Sequence, residues 1–265
     1  MHPMLNMAVK AARNAGSIIM RHADRLERLT VESKGLKDYV SEVDRMAEEE
    51  IIRVLRAAYP NHGILGEETG AHAGDDFVWI IDPLDGTTNF LHGFPQFAVS
   101  IALRHKDRLD QAVVFDPSHN ELFTASRGSG AQMNDRRIRV SRIHELEYAL
   151  LGAGFPFRSH EHMEAWIAML KEFMLNTSGI RRPGSASLDL AYVACGRYEG
   201  FWEIGLNAWD MAAGALLVQE AGGMVSDFAG GQDFLESGNI IAGNPKIHAE
   251  MLHRIHPHLT DGLRR

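Results

Sequence analysis

A chain of 265 residues is long enough for one large domain or two small ones. Its formal charge of −8, with 14 histidines counted neutral, argues against a broad nucleic-acid footprint. Cys195 is the only cysteine, so no disulfide can form within the chain; with no apolar run long enough to cross a membrane and no signal-peptide core in residues 1–20, a cytoplasmic protein is expected.

Leu5, Ala8, Val9, Ala12 and Ile18-Ile19 trace the apolar stripe of an opening helix. A second helix is predicted over 45–58, with Ile51-Ile52 and Val54-Leu55 facing inward and Pro60 just beyond its end. Asp44 stands before it and reads as an N-cap unless the fold carries it to a site. Lys34 could meet phosphate, but a lone lysine is ordinarily solvated.

Strands are expected at 62–66 and 77–82. Gly66-Glu67-Glu68-Thr69-Gly70 ends the first and puts two carboxylates at a strand terminus. If the two strands are neighbours, Glu67 can share a metal with Asp82; otherwise this is a solvated acidic turn.

The second strand runs into Asp82-Pro83-Leu84-Asp85-Gly86-Thr87-Thr88-Asn89. Asp-Pro reads as a turn that ends the strand, with Pro83 at its first central position. Asp82 and Asp85 can then point the same way, with the Leu84 carbonyl between them. Two carboxylates and a carbonyl make an all-oxygen site suited to Mg²⁺ or Mn²⁺. Gly86, Thr87 and Thr88 follow at a possible helix start, where backbone amides bind anions and glycine lets a phosphate come close. An isolated Asp-x-x-Asp is more simply a turn with a cap. The full octapeptide after a buried strand favours the metal reading.

A meander follows at 97–105, 110–116 and 121–125, with turns marked by Gly128 and Gly130. Arg136 to Arg142 is a basic run that alternates like an exposed strand face or contact patch. Residues 1–265 read as a single domain, any boundary falling near 140–147, where the pattern changes. The second half is read as a strand at 148–153, a helix at 161–175 with His160 and His162 at its solvated start, and a strand at 178–182. A helix at 186–195, a strand at 199–204, a helix at 209–221, strands at 224–228 and 239–243, and a helix at 246–256 complete it. Hairpins followed by helix–strand alternation predict a layered α/β fold.

Three segments of this half carry polar chemistry. Gly184-Ser185-Ala186 precedes an apolar helix, so its amides either contact a ligand or form an ordinary helix start. Glu203, at the end of an apolar strand, is a surface residue or a partner for a substrate hydroxyl. Asp210 opens a helix apolar on most of its surface; it is a cap, or a buried carboxylate that needs a cation. There is no P-loop and no Gly-x-Ser-x-Gly elbow, and Gly152-Ala153-Gly154 runs into Phe155-Pro156-Phe157, which fails the dinucleotide fingerprint.

Taken together, Gly66-Glu67-Glu68-Thr69, the octapeptide 82–89 and Trp209-Asp210-Met211-Ala212-Ala213-Gly214 resemble the motifs of the inositol monophosphatase family, in order and in spacing. The resemblance covers essentially the whole chain. Residues 1–6 and 188–194 look most like bacterial members. It implies an alternating α-β-α-β-α layered sandwich, usually dimeric. It implies one Mg²⁺ held by Glu67, Asp82 and the Leu84 carbonyl, a second by Asp82, Asp85 and Asp210, and a third, weaker one near Glu67 and Asp44. Thr87 would orient the attacking water, and the Gly86 and Thr87 amides would meet phosphate. Asp85, Gly184, Ser185, Ala186 and Glu203 would contact inositol hydroxyls. The implied activity is metal-dependent hydrolysis of a polyol monophosphate, with Li⁺ inhibition. Sugar bisphosphates and 3′-phosphonucleotides are the nearest alternative substrates. Bacterial relatives are associated with ribosomal RNA transcription complexes, so RNA polymerase or its elongation factors are implied partners.

Overall fold

The computed structural model describes residues 2–23, 25–26, 31–35, 38–156 and 160–264, with the backbone alone at 31–35 and 38–40. The expectation for the Lys34 side chain lies outside the described residues.

Helix α1 (Pro3–Ala23) buries Ala8, Ala11, Ala12, Ala15 and Gly16. Small residues let its backbone lie close to the sheet below: a Cβ on Gly16 would come within 2.6 Å of the Phe115 ring. A hairpin, β1 (Val31–Gly35) and β2 (Asp38–Ser41), follows. Its polar segments give no strand signal in the sequence. Helix α2 (Glu42–Ala58) starts three residues earlier than expected. Ser41 is its N-cap, and Asp44 at the third helical position accepts the Ser41 N–H at 2.8 Å, a capping box.

Strands β3 (Gly63–Gly66), β4 (Gly70–His72) and β5 (Phe77–Asp85) come next, then the short helix α3 (Thr87–Leu91). The meander is β6 (Ala98–His105), β7 (Arg108–Asp116), β8 (Glu121–Ser126) and β9 (Gly130–Met133), closed by β10 (Arg136–Arg137). These strands form an eight-stranded sheet in the order β10-β9-β8-β7-β6-β5-β3-β4. Only the β3–β5 pair is parallel. Of the basic run at 136–142, only Arg136 and Arg137 are strand; Ile138 and Val140 turn inward against the core.

Asp82-Pro83 does not end β5. The pairing Asp82↔Ser100 is followed by Asp85↔Ala98, so β5 carries one extra residue there. Proline lacks the N–H that a ladder needs, and a bulge is where a strand tolerates it. The strand therefore continues through Asp85 with both carboxylates on a bent segment.

The second half begins with β11 (Leu150–Ala153), α4 (Met163–Asn176) and β12 (Gly179–Arg181). It continues through α5 (Ala186–Ala194), β13 (Gly200–Glu203), α6 (Ala208–Glu220) and β14 (Met224–Ser226) to α7 (Phe234–Ser237), β15 (Ile240–Gly243) and α8 (Pro245–Ile255). Its sheet has five strands in the order β12-β11-β13-β15-β14.

Strand alternation assigns the layers. In the eight-stranded sheet Trp79, Ile81, Val99, Ile101 and Leu103 pack on α1 and α2. The intervening Ile80, Ala98 and Ala102 face the other way, onto Leu188, Leu190, Met211 and Leu216 of α5 and α6. The far side of α5 and α6 meets Phe201 and Ala242 of the five-stranded sheet. Trp202 and Ile241, on that sheet's opposite face, pack on Trp166 and Phe173 of α4 and Ile247 and Met251 of α8. The order is α-β-α-β-α, as the resemblance implied. Among the described residues no helix is long and apolar enough to cross a membrane.

Candidate active site

Asp82, Asp85 and Asp210 are all buried, and one carboxylate oxygen from each lies within 4.8 Å of the other two. The β5 bulge supplies the first two; the Leu84 N–H donates to Asp82 at 3.0 Å and fixes that side chain. Asp210 arrives from α6, where its carboxylate also accepts the Asn207 N–H at 2.7 Å. Asp210 is thus a helix-start residue and a member of the cluster at once. Ser100, opposite Asp82 on β6, donates to the Trp209 carbonyl at 3.2 Å and ties the start of α6 to the sheet.

Burial is the main cause that raises Asp82 well above the usual carboxylate range. The charges of Glu67, Asp85 and Asp210 push it further. Asp85 is also raised by burial, against the lowering effect of hydrogen bonds from Ser185 and Ser187. Buried like charges at this distance are costly alone and favourable around a cation. Their donors are all oxygen, and the fit is to a hard divalent ion such as Mg²⁺.

Glu67 stands outside the trio. It follows β3, and its N–H donates to the Ile81 carbonyl at 3.1 Å, so it sits beside Asp82 where β3 ends against its parallel neighbour β5. The loop that carries it is held by Glu48, a fully buried residue of α2. The Glu48 carboxylate accepts the N–H groups of Glu68 at 3.0 Å and Thr69 at 2.8 Å. A Cβ on Gly66 would meet that carboxylate at 2.5 Å, so only glycine leaves room.

Asp44 is brought to the same place. Thr87 Oγ1 lies 3.0 Å from Asp44 Oδ1 and 3.0 Å from the Leu84 carbonyl. With one hydrogen, the hydroxyl donates to one of these acceptors at a time. Burial raises the pKa of Asp44, opposed mainly by the Ser41 hydroxyl that donates to it. Gly86 caps α3 at φ +92, and a Cβ there would stand 2.8 Å from the Gln96 carbonyl. Glycine alone supplies that turn.

Asp85 also binds the second half of the chain. Its carboxylate accepts from the Ser185 hydroxyl at 2.6 Å and the Ser187 N–H at 2.8 Å, at the start of α5. Asn89 spans the same joint, donating to the carbonyls of Gln96 at 2.7 Å and Pro183 at 2.9 Å. The starts of α2, α3, α5 and α6 therefore surround the acidic cluster, and their positive ends offset part of its charge.

Beside the cluster lies a cavity of about 140 Å³, whose walls include Asp85, Gly184, Ala186, Asp189, Glu203 and Asp210. Glu203 lies over Gly154, where a Cβ would come within 1.8 Å of its carboxyl carbon. Gly184 and Ala186 line this space, whereas Ser185 turns to Asp85. His160 and His162 belong to a short 3-10 turn before α4 and take no part.

Sequence alone assigns no role to Glu48, Asn89, Ser187 or Asp189. Glu48 carries a usable signal: it lies four residues after Asp44, on one helical face.

A model of the inositol monophosphatase family matches residues 1–260. The Nus factor SuhB of Pseudomonas aeruginosa is 57% identical over the whole of both chains. The crystal structure of the extragenic suppressor protein suhB from Bartonella henselae is similar with a TM-score of 0.93 and 47% identity, covering 96% of this chain and 98% of that one. An inositol monophosphatase from Anabaena (Nostoc) sp. is similar with a TM-score of 0.86 and 36% identity, over 96% and 95% of the two chains. By fold, by motif and by the match along its length, the chain belongs to the inositol monophosphatase family.

Proposed function

We propose that the protein is a Mg²⁺-dependent phosphatase of the cytoplasm that hydrolyses inositol monophosphate and related polyol or sugar monophosphates. The observation that carries this reading is the convergence of the Asp82, Asp85 and Asp210 carboxylates next to a cavity that also holds Glu203. Glu67, Asp82 and the Leu84 carbonyl would hold one Mg²⁺, and Asp82, Asp85 and Asp210 a second; a third would lie near Glu67 and Asp44. Bound there, divalent ions supply a more acidic water and offset charge on phosphate and leaving alkoxide. Mn²⁺ is the natural substitute.

The chain's own groups do the rest. Thr87, held by Asp44 and Leu84, accepts and orients the hydrolytic water through its hydroxyl. The Gly86 and Thr87 amides receive phosphate oxygens. Glu203 accepts a hydrogen bond from a leaving-group hydroxyl and repels a second phosphate, which disfavours bisphosphates. Gly184 and Ala186 form the wall against which the polyol ring rests. Li⁺, competing for a Mg²⁺ position, would inhibit.

The test is phosphate release with Mg²⁺ from inositol monophosphate, a sugar bisphosphate and a 3′-phosphonucleotide. The reading expects turnover of the first well above that of the others. Preference for either alternative would reassign the substrate.

A second role is supported by the name of the Pseudomonas relative, a Nus factor. We infer that this chain, as a homodimer, also contacts the transcription machinery through protein surfaces, its net charge of −8 suiting protein contact better than bare RNA. Retention of RNA polymerase on the immobilised protein after RNase treatment tests it. Loss of all capture on RNase treatment would count against it.

A further inference from the structure

Asp189 is an acidic residue in the first turn of α5 and only 1% exposed. Such a residue ordinarily serves the free N–H groups of the helix start. Here that role is taken: the Ser187 N–H goes to Asp85, and the Ala186 N–H also serves it. Asp189 Oδ1 is buried with no hydrogen-bond partner among the described residues. A buried carboxylate oxygen without a donor is expensive and calls for an explanation.

The surroundings of Asp189 identify the missing donor. Asp189 lines the cavity together with Arg182, Glu203 and Asp210. Arg182 stacks over the Phe155 ring at 4.8 Å and faces Asp189 with positive charge, while Glu203 and Asp85 face it with negative charge. A second anionic group on the ligand would be repelled by the Glu203 carboxylate. A cationic group on the ligand would meet the Arg182 guanidinium in the same cavity. A neutral hydroxyl donates to the empty acceptor at no electrostatic cost.

We infer that Asp189 is a specificity-determining residue that accepts a hydrogen bond from a hydroxyl of the bound polyol, distinct from the hydroxyl that meets Glu203. This rests on the proposed polyol phosphatase activity and narrows it to leaving groups with at least two free hydroxyls on the cavity side. Esters without hydroxyls leave the Asp189 acceptor without a donor. A site built to bind a hydroxyl discriminates strongly against analogues that lack it.

The test compares wild type, Asp189→Ala and Asp189→Asn on inositol monophosphate and on 4-nitrophenyl phosphate, with Mg²⁺, alongside thermal unfolding. The ratio of kcat/KM for the polyol ester to that for the aryl ester should fall about tenfold or more in the alanine variant, the size expected for one lost polar contact. The asparagine variant should recover part of that ratio, because its amide oxygen still accepts. Neither variant should lower the unfolding midpoint of the ligand-free protein by more than a few degrees, since Oδ1 makes no internal hydrogen bond. Equal losses on both substrates, an unchanged ratio, or a large drop in the midpoint would overturn the inference. Failure of the wild type to release phosphate from either ester would instead defeat the underlying phosphatase reading. Turnover of the aryl ester alone would leave the phosphatase standing and remove the polyol and Asp189 together.

Discussion

The Asp85 carboxylate accepts the Ser187 backbone N–H at 2.8 Å, across 102 positions of sequence. One contact thus orients a cluster carboxylate and fixes the start of α5 against the β5 bulge. Ser187 also donates through its hydroxyl to the same oxygen. Ser187→Ala removes that donor and leaves the backbone bond. Because the bond favours the charged form of Asp85, its loss should raise the Mg²⁺ concentration needed for half-maximal activity several-fold. Stability should fall by about 1.5–3 kcal/mol, as for a hydrogen bond to a charged group. Mg²⁺ titration of activity and urea unfolding check the two halves.

Gly154→Ala places a methyl where the Glu203 carboxyl now lies. The side chain must move, so this variant should resemble Glu203→Gln in kinetics. Turnover of inositol monophosphate should fall more than turnover of 4-nitrophenyl phosphate, about fivefold or more in the ratio for a contact of about 1–3 kcal/mol. Equal effects on both esters would make Glu203 a structural residue.

Glu48 holds the loop that carries Glu67 by two backbone N–H groups. Glu48→Ala leaves both without that acceptor and should cost about 2 kcal/mol or more in urea unfolding. Gly66→Ala acts on the same carboxylate from the other side and should produce a similar loss. An effect below about 0.5 kcal/mol in both would show that water replaces the carboxylate freely.

How much of this site was legible in the sequence differs residue by residue. The octapeptide 82–89 was readable because an apolar strand, a proline and two aspartates occur together. Its geometry was not: the proline sits in a bulge rather than a terminal turn, a choice made by pairing with β6. Asp44 reads as an N-cap until Ser41 is recognised three residues earlier as the cap of a box. Glu48 was hidden in Glu48-Glu49-Glu50, a run that resembles a solvated face. The layered architecture followed from alternation and helix stripes, with most strands of the meander within two residues of their expected ends. The β1–β2 hairpin left no trace, because nothing in 31–41 alternates clearly between apolar and polar. Asp189 lay in plain view but acquires a role only when Asp85 is seen to occupy the helix start.

The raised pKa of Asp82 and Asp85 sets a pH dependence. Burial leads for both; neighbouring charges add to Asp82. Without cations the folded chain binds more protons than the unfolded chain between the ordinary carboxylate value of 3.8 and the raised folded values. Stability from these groups is then fully present below the ordinary value and is lost as pH rises through the raised ones. Mg²⁺ must displace those protons, so its affinity should rise with pH over the same window. The thermal shift caused by a fixed Mg²⁺ concentration should therefore be larger at pH 8 than at pH 5. An equal shift at both would indicate carboxylates already ionised without metal.

On the proposed reading, the buried trio of Asp82, Asp85 and Asp210 holds the divalent ions that make the protein a phosphatase. Phosphate release from inositol monophosphate, measured against Mg²⁺ concentration for wild type and Asp82→Asn, tests it most directly. Expected are saturable activation of the wild type, none after chelation, and loss of about 99% or more of the activity in Asp82→Asn with the fold intact, in line with the several kcal/mol that such ions contribute to the transition state. Full activity of Asp82→Asn, or of the wild type in chelator, would contradict it.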